Sequence, residues 1–278
     1  MKRNGAIHPL YFLAFVVTIG IVLCAILAPW IAPFDPTEVH TEEILEYSSA
    51  RHWLGTDALG RDILSRLLWG ARTSVAFAAA AACCTMVVGL LLGMLGGYFG
   101  GWIDKGIQCL VCVFQGLPGM SLMIAIAAVL PENDARLIIA VTITSWTGFS
   151  RIVRSEVLHI RNENYMIGIR CLGAGHGYIL RKYVFPNVFP LVIVLLTLRI
   201  GTSLLSASAL SYLGLGVAPP VADWGVMVSD ARTYFRSYPL MILAPGLAIT
   251  AFCMGINLIG DFLRDQFQLR KTGEGREE

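Results

Sequence analysis

The stretch VAFAAAAACCTMVVGLLLGML (75–95) carries no charged residue across 21 positions. At about 1.5 Å of rise per residue, a helix of that length spans the ~30 Å hydrocarbon core of a bilayer. A lone segment in lipid has to satisfy its own backbone hydrogen bonds, which a helix does and an isolated strand cannot. Three further runs have the same character: Tyr11–Ile31, Ile107–Leu130 and Leu240–Leu263, the last interrupted only by Asp261 near its end. Val184–Ser206 is as long but contains Arg199, and Leu137–Val153 is shorter and closes on Arg151. The short alternating segments of a transmembrane β-barrel do not occur. The reading is an all-α integral membrane protein with six transmembrane helices.

Composition points the same way. The 278 residues are 56% hydrophobic and 14% charged, whereas a soluble domain carries about 25% charged residues. With 21 Lys+Arg against 19 Asp+Glu, the net charge of +2 is too small to imply nucleic-acid binding. Lys2 and Arg3 precede the first apolar run as they would in a secretory signal. That run is too long for one, and Pro29-Trp30 follows it in place of small residues, so an uncleaved anchor is expected. Placing both termini in the cytoplasm puts segments 1–9, 96–106, 151–183 and 264–278 inside, with 13 of the 21 basic residues against seven outside. Arg51, Arg61, Arg66 and Arg72 weigh against that orientation, but six acids (Asp35, Glu42, Glu43, Glu46, Asp57 and Asp62) surround them and are expected to pair with them.

Several chemistries are missing. No Asp or Glu lies within the six apolar runs apart from Asp261, so the mid-membrane acid of an ion-coupled carrier is lacking. Arg199 is the one buried charge; with Gln115 and Asn257 it forms the set of candidate pathway residues. Interhelical hydrogen bonding is the plainer role for the two amides. There is no H-E-x-x-H, no G-x-S-x-G and no G-x-x-x-x-G-K-[ST]. The chain therefore has no P-loop, and uphill transport would take its energy from another polypeptide. Six of the seven cysteines lie in apolar runs and none in the outer loops, which implies packing residues and no structural disulfide. His40 and His52 are the outer histidines, a weak metal signal without nearby cysteine, and no metal site is assigned.

The 151–183 segment is too long for a turn. Glu163–Leu172 reads as a short helix capped by Asn162, with Gly173 as the residue that accepts a positive φ at its end. A second helix from about His176 runs into the next membrane segment and bends near Pro186. Tyr165, Ile169, Leu172 and Tyr178 are apolar knobs on the water side, which calls for a partner surface, or else for a helix resting on lipid headgroups.

The run YMIGIRCLGAGH (165–176), followed by Pro186-Asn187, resembles the EAA loop of type I ABC importer permeases. Gly173 matches the motif glycine, and Arg170, Leu172 and Ala174 fit it; Ile167 stands in place of its Glu, and Gly168 and Ile169 in place of two alanines. HWLGTDALGRDILSRLLWGARTS (52–74) and SYLGLGVAPPVADWG (211–225) are similar to segments of peptide/nickel import permeases, so the resemblance covers nearly the whole chain. It implies an N-terminal anchor and outer loop at 1–72, an ABC type-1 transmembrane domain at 73–263 and a cytoplasmic tail at 264–278. It also implies coupling to an ATPase through Tyr165, Ile169, Arg170, Leu172, Gly173, Ala174 and His176. The outer gate loop would comprise Pro219, Pro220, Asp223 and Trp224, the prolines as an extended spacer and Trp224 at the membrane interface. The implied partners are a homologous second permease subunit, two ATP-binding subunits that hold ATP and Mg, an extracytoplasmic solute-binding protein and the lipid bilayer of the bacterial cytoplasmic membrane. This chain itself would hold no cofactor. GAGH (173–176), Ile167 and DWGVMVSDAR (223–232) look most like the second permease of nickel-type systems, which favours nickel or a nickel chelate over a peptide as solute.

Overall fold

The computed structural model describes residues 9–133 and 135–274. Among them the chain forms α1 (Pro9–Ile31), α2 (Ile63–Phe99), α3 (Gly101–Gly116), α4 (Gly119–Val129), α5 (Ala135–Arg161), α6 (Asn164–Cys171), α7 (His176–Ile179), α8 (Phe185–Tyr212), α9 (Trp224–Ala231) and α10 (Leu240–Glu274). A π-helical turn at Leu180–Val184 carries α7 directly into α8. Lys2, Arg3, Asp134, Arg276, Glu277 and Glu278, which enter the charge count above, lie outside the described residues.

α1, α2, the α7–α8 rod and α10 are each long and apolar enough to cross a bilayer. The Ile107–Leu130 run is not one helix, as the sequence pattern suggests, but two, α3 and α4, meeting at 93°. Pro118 has no backbone N–H and disfavours helical geometry in the residue before it. Leu117 accordingly adopts φ −98° and ψ 142°, and both helices stop at the break. The short run at Leu137–Val153 becomes the 27 residues of α5, about 40 Å long, with Arg151, Arg154 and Arg161 in its C-terminal half. Pro186 falls in the first turn of α8 just after the π-helical turn, and His176–Tyr212 runs through it as one span in place of the expected bend.

Small residues set the packing. Gly89, Gly93 and Gly97 recur every fourth residue on α2, so they share one face. A Cβ added to them would lie 2.7, 2.7 and 2.8 Å from Phe149 Cβ, Ser150 O and Val157 Cβ of α5. Side chains cannot approach that closely, so α2 and α5 lie nearly backbone to backbone, the usual way apolar helices gain contact where water supplies no drive. The opposite surfaces stay apolar and exposed, with Val87 and Leu91 on α2 and Phe12, Val16 and Ile19 on α1. Those faces suit lipid.

Candidate functional site

The segment between α5 and α8 caps one end of the bundle. α6 starts at Asn164 with Glu163 at its cap, one position later than the expected Asn162, and no side chain makes the capping bond. Its inward face is anchored by Met166, and that of α7 by Ile179, both fully buried against Val153, Val157 and Ile160 of α5 and Tyr98 of α2. Neither anchor stands out in the sequence reading. The available signal was Met166 and Ile169 at helical spacing.

α6 ends in a Schellman turn. Gly173 takes φ +79°, its N–H donates to Arg170 O (3.0 Å), and the Ala174 N–H donates to Ile169 O (3.4 Å). Ile169 and Ala174 pack inward together, the hydrophobic contact that accompanies this turn. Arg170 and His176 clasp the end of α2: the guanidinium sits 5.7 Å above the Tyr98 ring, and His176 Nδ1 lies 3.0 Å from the Tyr98 hydroxyl. The outward surface carries Leu172 (88% exposed), Ile167, Tyr178 and Tyr165. Desolvation and then the Glu163 carboxylate raise the Tyr165 phenol above its ordinary value, so this knob stays uncharged. The seven residues of the expected coupling set thus divide: Tyr165 and Leu172 face out, Ile169 and Ala174 seat the loop, Arg170 and His176 fasten it, and Gly173 turns it.

The three candidate pathway residues do not converge. Arg199 lies near the middle of α8, where a Cβ on Gly148 of α5 would be 3.5 Å from its Nη2. Gln115 of α3 accepts a hydrogen bond from Arg151 Nη1 of α5 at 2.7 Å. Asn257 packs instead at the α8–α10 crossing, its Oδ1 2.9 Å from where a Gly201 Cβ would stand. Positions 199 and 201 are about 200° apart around a helix, so Asn257 and Arg199 meet different faces of α8.

The segments before α2 and around α9 pair many of their charges internally. Asp62 caps α2 through Ser65 N (2.7 Å) and also meets His52 Nδ1 (2.9 Å). His52 is fully buried and stacked on Phe34, with Glu43 Oε2 3.4 Å from its other ring nitrogen, so both nitrogens already face carboxylates. Arg51 pairs with Glu43; Arg61 lies 2.7 Å and Arg66 3.5 Å from Asp57, and both approach Asp230. Arg72 rests over the Trp69 ring at 5.7 Å. Asp223 caps α9 through Gly225 N and Val226 N while accepting from Ser74 Oγ of α2 at 2.7 Å. Trp224 is not at an interface, as its residue type suggests, but 1% exposed, with Nε1 donating to Leu67 O at 2.9 Å. Pro219 and Pro220 lie in a turn with a cis bond between them, not in an extended spacer.

The chain is thus a bundle with lipid-facing helices and a pair of short helices presenting bare apolar groups at one end. The sequence matches the family described as binding-protein-dependent transport system inner membrane component over residues 87–273. Residues 8–48 match the N-terminal TM domain of oligopeptide transport permease C. The chain belongs to this family of ABC importer permeases and is a multi-pass inner-membrane protein. It is 36% identical over 265 residues to the dipeptide transport system permease protein DppC of Alkalihalophilus pseudofirmus, covering 95% of this chain and 86% of the relative. Identity is 37% over 253 residues to the nickel transport system permease protein NikC of Escherichia coli K12, covering 91% of each. The glutathione transport system permease protein GsiD of Escherichia coli O6:K15:H31 is 40% identical over 254 residues, covering 91% and 84%. Among solved structures, an inward-facing MetNI methionine ABC transporter has the same fold at TM-score 0.58 and 16% identity, covering 73% of this chain and 97% of that one.

Proposed function

We propose that this chain imports nickel, free or as a chelate, and that separate ATP-binding subunits drive it by docking on the α6–α7 surface. The observation that carries the docking reading is the exposed ridge of Tyr165, Ile167, Leu172 and Tyr178 on a loop otherwise anchored at Met166, Ile179 and Tyr98. An apolar ridge of that kind, held rigid outside the bundle, fits a complementary cleft.

The path of force follows from continuity. When ATP closes the two motor subunits, the docked helices are drawn together. α7, the π-helical turn and α8 form one rod. That rod meets α9 closely enough that a Cβ on Gly225 would lie 2.5 Å from Ser208 O, and α9 is tied to α2 by the Asp223–Ser74 bond. Movement at the loop therefore tilts the outer segments as a body and opens a path for solute delivered by an extracytoplasmic binding protein; hydrolysis reverses it. In this reading both termini are cytoplasmic, a homologous permease encloses the other half of the path, and ATP and Mg reside on the motor subunits.

Nickel is supported by the GAGH and DWGVMVSDAR runs and by the nickel permease relative. A di- or oligopeptide is the second reading, supported by the dipeptide permease relative. ATP-dependent uptake of radiolabelled nickel against a labelled dipeptide, in cells expressing the complete importer, decides between them. Preferential nickel uptake is expected; uptake of the dipeptide alone would replace the first reading with the second.

A further inference from the structure

A cleft opens at the end of the bundle opposite the α6–α7 loop. Its volume is about 290 Å³, and Tyr47, Leu54, Ile63, Tyr238, Leu240 and Met241 form most of its wall. That size is close to the lower end of small-molecule pockets, roughly 300 Å³. It has room for part of one hydrocarbon chain, and an apolar cavity takes such a guest in preference to water.

Position decides which apolar guest reaches it. Ile31 closes α1, Ile63 opens α2 and Leu240 opens α10, all three of them spans. The Phe34 N–H donates to Ser65 Oγ at 3.1 Å and holds the first two of these ends together. The cleft therefore sits where three spans leave the hydrocarbon. Tyr47 and Tyr238 stack on its wall with centroids 4.8 Å apart, and Trp30 and Trp53 are exposed at the same end. These are the residue types that mark a membrane–water interface. Leu240, Leu243 and Leu247 are all exposed and share one face of α10 by their spacing of three and four residues. An apolar track thus runs from the cleft along the span. A water-soluble guest has no use for that track; an acyl chain does.

The charge at the cleft narrows the headgroup. Glu46 is the one charged residue among those lining it, and among the described residues no cation lies within 4.0 Å of its carboxylate. A lone carboxylate attracts an ammonium and repels a second anion.

We propose that this cleft is a phospholipid site. One acyl chain of an ethanolamine-type lipid runs along Leu247 and Leu243 into the cleft, and its ammonium lies at Glu46. The site needs only that these helices span a bilayer, whatever solute is carried.

The test reconstitutes the complete importer in nanodiscs containing a trace of phosphatidylethanolamine or phosphatidylglycerol with a photoreactive diazirine on one acyl chain, and maps the cross-linked peptides. Residues 46–56 and 238–247 should be labelled. The ethanolamine probe should exceed the glycerol probe by about two- to fivefold, which is what one exposed ion pair supplies. Glu46→Gln should remove that preference and keep the labelling. Leu240→Trp, at a position already partly exposed and so tolerant of bulk, should block the cleft. Labelling of 46–56 should then be lost, while the exposed α1 face at Phe12 and Val16 is labelled as before. No labelling of 46–56 in wild type, labelling there unchanged by Leu240→Trp, or equal labelling by the two probes would overturn the proposal. So would loss of the label on adding an extracytoplasmic binding protein, which would make the cleft a protein-docking site.

Discussion

The two ends of the molecule fasten their segments in different ways. Residues 32–62 and 213–239 pair many of their charges internally, although Trp53 and Phe235 stay exposed: Asp62 and Asp223 cap helices, Arg61 and Arg66 share Asp57, and Trp224 is buried against α2 with its indole N–H bonded. On the other side, the 162–183 loop fastens only its inner face and leaves Leu172, Ile167 and Tyr178 bare. The difference separates a region knit by caps and ion pairs from one fastened on its inner face alone. Mutations in the first should therefore cost stability, and mutations in the second should cost coupling.

The largest effect is expected from Trp224→Ala. It deletes a fully buried side chain and its bond to Leu67 O, and should destabilise the folded chain by about 3–5 kcal/mol, read as a lowered unfolding midpoint in detergent. Retained stability would show that α9 is not knit to α2 through this residue.

Gly173→Val comes next. The position needs φ +79°, which costs a β-branched residue about 1–2 kcal/mol locally. There is open space around the Cα, so the turn distorts while the bundle stays intact. ATP-driven uptake should fall by about tenfold with normal insertion and little change in unfolding midpoint. Unaltered uptake would remove the turn from the coupling path.

Leu172→Ser is the smallest change in the isolated chain. At 88% exposure the leucine supports nothing in its own subunit, so its unfolding midpoint should shift by no more than the equivalent of about 0.5 kcal/mol. Retention of the ATP-binding subunits during purification should nonetheless weaken. A marked loss of thermal stability with full retention would reverse the contrast drawn here.

Much of this contrast can be read from residue order. Long charge-free runs identify spanning helices because lipid leaves the backbone no other partner, and Gly173 announces its turn because few residues tolerate positive φ there. The break in the Ile107–Leu130 run was legible too. Gly116-Leu117-Pro118-Gly119 combines two flexible residues with one that cannot donate, yet uniform hydrophobicity conceals it from a hydropathy reading. Residues whose roles depend on distant neighbours were not legible. Trp224 has the composition of an interfacial anchor and becomes a buried one because Gly70, whose added Cβ would stand 2.9 Å from its ring, leaves room on α2. Asn257 and Arg199 share depth and polarity, but only the helix crossings place them on different faces. Arg66 meets Asp57 among the acids expected around it, but Asp230, 164 residues further on, could not be read from its neighbourhood.

The central claim is that the α6–α7 surface lies in the cytoplasm beneath a separate ATP-driven subunit. Cys171 sits on it and is exposed, so a variant retaining this cysteine alone can be challenged with a membrane-impermeant maleimide. The account predicts no labelling in intact cells, labelling in inside-out vesicles stripped of the ATP-binding subunits, and protection when those subunits are restored. Labelling from outside intact cells would contradict it.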